Sequence, residues 1–168
     1  MGQDDLYIEA EKTFSAALQR LVRAYEADAD RARDLLQEIH IALWRSFEVY
    51  EARCSLRTWV YRVAHHTAAS HVIKQHRLRR GLLSLEELEA EPTSDSHEKD
   101  VSDRVALERL MTLIHRLDPI DRQLMLLYLE GVEAAATGEI TGLSATNVRS
   151  KIYRIKSILA RRFQGGAG

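Results

Sequence analysis

Apolar residues recur every three or four positions through both halves of the chain, which is the spacing of a helix with one buried face. One such stripe is formed by Ala32, Leu35, Leu36, Ile39 and Leu43. We find no run of alternating β-branched residues bounded by turns, which is the pattern that a strand leaves in a sequence. The sequence therefore predicts an all-α fold.

Composition limits the number of domains and the cellular setting. The chain has 168 residues, of which 45% are hydrophobic, and this is enough for one domain or two small ones. Cys54 is the only cysteine, which excludes an internal disulfide and fits a reducing compartment. The N-terminal residues lack the pattern of a signal peptide, and no apolar run reaches the roughly 18 residues of a membrane span. We expect a cytoplasmic protein without membrane insertion.

Charge is segregated along the chain although the formal net charge is only −1. Residues 53–80 hold seven basic residues and no acid, and residues 140–168 hold six basic residues and no acid. The stretch between them is acidic, with nine Asp or Glu residues over 84–108, and it contains Pro, Ser and Asp in place of apolar periodicity. We predict two small helical domains, 1–83 and 101–168, joined by an acidic linker over residues 84–100.

Helix boundaries follow from capping residues in both domains. In the first domain we expect helices over about 6–25 and 30–47, and a third that begins at the N-cap Ser55. The second domain begins with a helix that ends before Asp118 and Pro119, a pair typical of the start of the next one.

The C-terminal sequence has the pattern of a helix-turn-helix. A short helix over about 133–140, a turn containing Gly142 and a basic helix that begins at Ser144 follow one another. The buried stripe of the last helix is expected to be Val148, Ile152, Ile155 and Leu159. Its polar residues are candidates for contacts with base edges and phosphates, namely Thr146, Asn147, Arg149, Ser150, Lys151, Tyr153, Arg154 and Lys156.

These patterns together resemble the bacterial RNA polymerase sigma factors, in particular the small extracytoplasmic-function (ECF) group of the primary sigma family. Residues 29–47 and 55–77 are similar to the second conserved domain of that family, and residues 117–132 and 138–159 are similar to its fourth. The resemblance implies a protein without catalytic activity, cofactor or metal that binds core RNA polymerase and directs promoter recognition and transcription initiation. It also implies an anti-sigma factor as a partner, and we expect a monomer when no partner is bound.

The resemblance also implies binding sites. The core polymerase would dock on one segment of the second predicted helix, at Asp34, Leu36, Gln37 and Glu38. The melted minus-10 promoter element would meet a cationic surface with planar side chains, at Arg53, Arg57, Tyr61, Arg62, His65, His66, Ser70, Lys74 and Arg77. The polar residues of the last helix would contact the upstream minus-35 element. We expect Trp44 and Trp59 to be core residues.

The sequence departs from the family pattern at two places. Where Ala-Arg-Asn and a later Asp are common, this chain has Ala64, His65, His66 and Ser70, and where Glu-Ile-Ala is common it has Ala136 to Gly138. These changes indicate altered promoter specificity or reduced activity, and the glycine predicts softer support of the last helix.

Four histidines, His65, His66, His71 and His76, cluster in the third predicted helix. Three of them are five residues apart, whereas chelation along a helix needs a spacing of three or four. We therefore expect histidines at the surface or facing DNA, with a proton-sensitive role as the alternative.

Two other functions are compatible with the same motifs. A stand-alone helix-turn-helix regulator would have no need to bind core polymerase. A degenerate sigma-like protein would bind core polymerase without opening promoters. Whichever applies, the acidic linker is expected to fold back on the basic blocks and to weaken binding of the free chain to duplex DNA.

Overall fold

The computed structural model describes residues 1–78, 85–90 and 103–164. These residues form helices and connecting turns with no strand, which confirms the all-α prediction. The α-helices are α1 (Gln3–Tyr25), α2 (Ala29–Ser46), α3 (Leu56–Leu78), α4 (Leu85–Ala90), α5 (Asp103–Arg116), α6 (Pro119–Leu129), α7 (Ala134–Thr141) and α8 (Ala145–Gln164), with a 3-10 turn at Phe47–Val49.

Helices α1, α2 and α3 pack on one another as a three-helix unit. Leu18 of α1 and Leu35, Ile39 and Leu43 of α2 are almost fully buried at its centre, so the predicted stripe of α2 faces the core. The predicted N-cap is also confirmed, because the backbone N–H of Thr58 donates to Ser55 Oγ over 3.1 Å at the start of α3.

Helices α5 to α8 form the second unit, with α6 at its centre. Every residue of α6 from Asp121 to Leu127 is buried, and Asp118 caps this helix by accepting a hydrogen bond from the Asp121 N–H. Between α7 and α8 the chain turns at Gly142, which has a φ of 81°. The stripe predicted for α8 is buried in full. These contacts bury one side of α8 and leave its polar side exposed to solvent.

Gly138 lies where α7 comes closest to the turn that precedes α8. A Cβ atom at this position would lie 2.6 Å from the backbone oxygen of Leu143, which is far inside van der Waals contact. The glycine therefore allows the two helices to approach. The low helix propensity of glycine predicted weaker support of α8 by α7. Propensity, however, takes no account of this close contact.

The predicted acidic linker is described only at residues 85–90, which are the helix α4. Leu85 and Leu88 of this helix are buried. The other residues from 84 to 100 lie outside the described part of the chain.

Candidate polymerase and nucleic-acid interfaces

Helix α2 presents a continuous exposed face opposite its buried stripe. Asp34, Gln37 and Glu38 are exposed on it, and Leu36 is half-buried at its edge. At the same helical spacing the face continues to Ile41, which is 52% exposed. It thus combines acidic, amide and apolar groups.

The prediction that Trp44 lies in the core is wrong, because this side chain is 44% exposed. Its indole N–H donates to Asp4 Oδ1 over 2.9 Å, and its backbone oxygen accepts from Gln3 Nε2 over 2.8 Å. The beginning of α1 therefore fixes the indole at the end of the α2 face. Ile41 and Trp44 extend this exposed face, and their position off the buried stripe was visible in the sequence.

A second surface surrounds the loop between α2 and α3. An open cavity of about 710 Å³ lies there, and Tyr50, Arg53, Trp59 and Arg62 are among its lining residues. Trp59 is half-buried and packs against the hydrophobic core, its indole N–H donates to Ser46 Oγ over 2.9 Å, and its ring centroid lies 5.2 Å from that of Tyr50. Ala52 adopts a φ of 54° in this loop. The cavity thus has aromatic walls, and its charged lining includes both the arginines and the acidic residues Glu51 and Glu139.

The predicted minus-10 residues divide into exposed and covered ones. Arg53, Arg57, Arg62, His66 and Lys74 are exposed, and Ser70 is half-buried. The side chain of Arg77 lies outside the described part of the chain. Tyr61 and His65 are buried between α1, α3 and α6. In this conformation the second unit covers both of them, and Arg62 also contacts this unit by donating to the backbone oxygen of Glu139 over 2.6 Å.

The expectation of surface histidines is wrong for two of the four. His65 Nδ1 lies 2.9 Å from the Tyr25 hydroxyl, and His71 Nε2 lies 3.0 Å from Glu26 Oε2. Both are buried because α1 covers α3 on one side and α6 covers it on another. His66 is exposed, as expected, and the His76 side chain lies outside the described part.

Burial makes His65 sensitive to acid. Its Nε2 atom is buried without a hydrogen-bond partner, and loss of solvation lowers the pKa of the imidazole to about 3. An unfolded histidine has a pKa of about 6.5, so the unfolded chain takes up a proton at this site first. Folding stability is therefore expected to fall as the pH drops from about 6.5 towards 3, by up to about 1.4 kcal/mol per pH unit from this group.

The difference in unfolding free energy between the wild type and a His65→Gln variant measures this effect. In urea titrations, the unfolding free energy of the wild type minus that of His65→Gln is expected to decrease when the pH is lowered from 7 to about 4.5. Burial also raises the pKa of Asp121 to about 6, which changes stability in the opposite direction, but this group is common to both proteins and cancels. A difference independent of pH contradicts the prediction.

The third surface is the outward side of α8. Its first turn is capped where the Asn147 N–H donates to Ser144 Oγ over 3.2 Å. Of the predicted upstream-element residues only Lys151 is half-buried, and the exposed ones are Thr146, Asn147, Arg149, Ser150, Tyr153, Arg154 and Lys156. Two of the cations have internal partners, since Lys156 Nζ donates to the Tyr128 hydroxyl over 2.8 Å and Arg154 pairs with Glu86 over 3.1 Å. The exposed cations and short polar side chains of this side are of the kinds that contact phosphates and base edges.

The two units meet through buried apolar residues of α1, α3 and α6 and through polar contacts, and they leave a groove beside them. Arg20 of α1 donates to Glu130 over 2.8 Å, and His115 Nε2 donates to the backbone oxygen of Arg23 over 2.7 Å. The groove has a volume of about 1160 Å³ and lies between α1, α2, α5 and α6. Its apolar lining includes Leu107 and Leu129, which are both largely exposed.

Two further findings concern the described residues only. No group of three or more His, Cys, Asp or Glu side chains in them is arranged to hold a metal ion. None of their helices combines the length and the apolarity that a membrane crossing needs.

An all-α chain whose second unit carries a helix-turn-helix with a basic outward side belongs to the class of helical DNA-binding proteins. Within this class, the family model for Sigma-70 region 2 matches residues 12–78, and the family model for Sigma-70, region 4 matches residues 107–159. The chain belongs to the sigma-70 family, in its extracytoplasmic-function group, whose members are non-enzymatic transcription initiation factors.

Relatives and solved structures agree with this family. The chain is 26% identical to the RNA polymerase sigma factor NccH of Alcaligenes xylosoxydans xylosoxydans, over 88% of this chain and 81% of that protein. It is 29% identical to the ECF RNA polymerase sigma factor SigC of Mycobacterium tuberculosis, over 81% and 72% of the two chains. The fold is similar to that of the sigma factor RpoE from Bartonella quintana, solved with the anti-sigma factor NepR, with a TM-score of 0.69, 16% identity and coverage of 96% and 98%. It is also similar to CnrH, solved with the cytosolic domain of CnrY, with a TM-score of 0.66, 16% identity and coverage of 96% and 89%.

Proposed function

We propose that the three exposed surfaces carry the separate binding steps of a sigma factor that directs promoter-specific transcription initiation. The exposed face of α2 binds core RNA polymerase, the surface around the α2–α3 loop binds the melted minus-10 element, and the outward side of α8 binds the minus-35 element. The observation that carries this proposal is the presence of the α2 face and the basic α8 side on one chain. A stand-alone helix-turn-helix regulator would need only the second.

The polymerase site centres on Asp34, Gln37 and Glu38, and we extend it to Ile41 and Trp44. The acidic and amide groups supply charge and hydrogen-bond complementarity, and the two exposed apolar side chains supply surface that is buried on docking. A large aromatic residue fixed by Asp4 is a suitable anchor because it loses little side-chain freedom when it binds.

The minus-10 site requires a change in the packing of the two units. Arg53, Arg57 and Lys74 are accessible to a phosphate backbone, whereas Tyr61 and His65 are covered by α6. Contacts of these two with DNA therefore need the second unit to move away from α3. The departures at His65, His66 and Ser70 place two imidazoles and a hydroxyl where the family has a guanidinium, an amide and a carboxylate, which points to an altered preference for the captured base.

The interdomain groove is proposed as the site of an anti-sigma factor. Its lining is mainly apolar and carries Arg23 and Arg33 together with the Arg20–Glu130 pair and Glu26, and this suits the apolar face of an amphipathic helix whose polar flanks pair with these charges. The two similar structures were each solved with a partner, the anti-sigma factor NepR for RpoE and the cytosolic domain of CnrY for CnrH. We also propose a cytoplasmic location, because the proposed function requires access to promoter DNA.

The upstream site is tested by variants of α8 bound with core polymerase. Arg149 lies near the start of the helix, and its loss is expected to relax base preference at one position of the upstream element, by roughly 1–3 kcal/mol of discrimination. Lys156 lies two turns further along and is expected to contact phosphate after leaving Tyr128, so Lys156→Ala weakens binding to all sequences alike and reduces the salt slope by about 1.

Selection of randomised upstream elements by Arg149→Ala and Lys156→Ala separates these roles. The account requires that Arg149→Ala changes the selected sequence and that Lys156→Ala does not. The reverse pattern means that α8 docks in the opposite orientation.

A further inference from the structure

The short acidic helix α4 lies against the recognition helix α8. The buried side chains of Leu85 and Leu88 anchor it, and Leu88 is fully buried. Arg162 of α8 donates to the backbone oxygen of Leu88. This anchoring places one side of α4 over the basic side of α8.

The acidic residues of α4 pair with cations of α8. Glu89 accepts from Arg161 over 3.0 Å and from Arg154 over 3.4 Å, and Glu86 accepts from Arg154 over 3.1 Å. The hydrogen bonds from Arg161 and Arg154 lower the pKa of Glu89. Glu89 therefore bridges two arginines that are two helical turns apart, and both carboxylates are ionised at neutral pH.

A carboxylate pair in this position imitates two phosphates of a DNA backbone. Guanidinium groups bind phosphate and carboxylate by the same planar geometry, so one ligand excludes the other from the same arginine. All four side chains are largely exposed, with relative exposures of 41% to 68%. Exposed pairs of this kind are weak and screened by salt, so a polyanion is able to displace them.

We propose that α4 is an internal competitor of promoter DNA, which occupies Arg154 and Arg161 in the free chain and is displaced when α8 binds a duplex. This inference rests on the proposed function of α8 as the upstream-element reader. On this proposal the free chain binds DNA of any sequence more weakly than its basic last helix alone would. It also predicts that the acidic residues of α4 oppose DNA binding because they occupy Arg154 and Arg161 directly, and not only because they add negative charge to the chain.

The test compares two full-length double variants that lose the same two negative charges. Glu86→Gln with Glu89→Gln removes the competitor, whereas Glu9→Gln with Glu11→Gln neutralises two exposed acids of α1. For a labelled short duplex of random sequence at low salt, we expect the α4 variant to bind roughly fivefold to tenfold more tightly than the control. Its salt slope should be steeper by about 2 because two arginines become available to phosphate. Equal affinities and slopes for the two variants overturn the proposal.

Hydrogen exchange of the wild type with and without the duplex separates this inference from the proposed function. Binding is expected to slow exchange in residues 145–151 and to accelerate it in residues 85–90. If residues 145–151 are protected while residues 85–90 remain unchanged, α8 binds DNA and α4 is not its competitor. If DNA binds without protecting residues 145–151, α8 is not the DNA-binding helix, and the inference that α4 competes with DNA is contradicted as well.

Discussion

Glu38→Lys is expected to weaken binding of the chain to core RNA polymerase by at least about thirtyfold, because the change places a cation at the centre of an acidic docking face. Loss of one partner from a desolvated charge contact costs about 2 kcal/mol or more, and reversal of the charge adds repulsion. Glu38 is exposed and lies opposite the buried stripe of α2, so the fold should be unaffected. A pull-down or an interferometry titration with purified core polymerase gives the affinity.

Glu11→Lys is the matched control for this experiment. It makes the same change of charge on an exposed position of α1 and is expected to leave the affinity within about twofold of the wild type. Circular dichroism of both variants establishes that the helices are intact. If a folded Glu38→Lys variant binds core polymerase as tightly as the wild type does, the α2 face is not the polymerase site.

Arg122→Ala is expected to lower the free energy of unfolding by about 3–5 kcal/mol, because each buried acceptor left without a donor costs about 1–3 kcal/mol. Arg122 is only 2% exposed, and its guanidinium donates to three backbone oxygens, those of Tyr25, His115 and Leu117. These oxygens lie at the ends of α1 and α5, where helix carbonyls have no partner of their own. Alanine leaves them buried and unpaired.

Arg33→Ala is the comparison variant for Arg122→Ala in urea unfolding. Its guanidinium lies 3.7 Å from Asp30 in an exposed pair, so its removal is expected to change stability by less than about 0.5 kcal/mol. If the two variants are equally stable, Arg122 does not hold the ends of α1 and α5 together in the way we describe.

Local features of the fold were predictable because their causes are local in sequence. Ser55 and Asp118 cap helices through hydrogen bonds to residues three positions away, and the apolar stripe of α8 follows from its spacing alone. The exposed faces of α2 and α8 are the complements of those stripes. The exposure of most residues proposed for the polymerase and upstream-element sites could therefore be predicted from the sequence.

Features that depend on contacts between distant segments could not be placed in this way. Tyr61 and His65 are buried because α6 covers α3, and nothing in the α3 sequence indicates which helix lies on it. Trp44 is held at the surface by Asp4, forty residues away in sequence. Gly138 is needed because of the Leu143 backbone, whereas propensity registers only its cost. The α4 contacts with Arg154 and Arg161 likewise join residues more than sixty positions apart.

The central claim, that this chain directs promoter-specific initiation, is tested most directly by transcription in vitro. Core polymerase, the wild-type chain and fragmented DNA of the source genome are combined, and the transcripts are mapped. The account predicts transcripts that begin downstream of a shared upstream motif, that require the wild-type chain and that are lost with Glu38→Lys. A wild-type chain that binds core polymerase and yields no start site above the core background would contradict the account and identify a sigma-like protein that cannot open promoters.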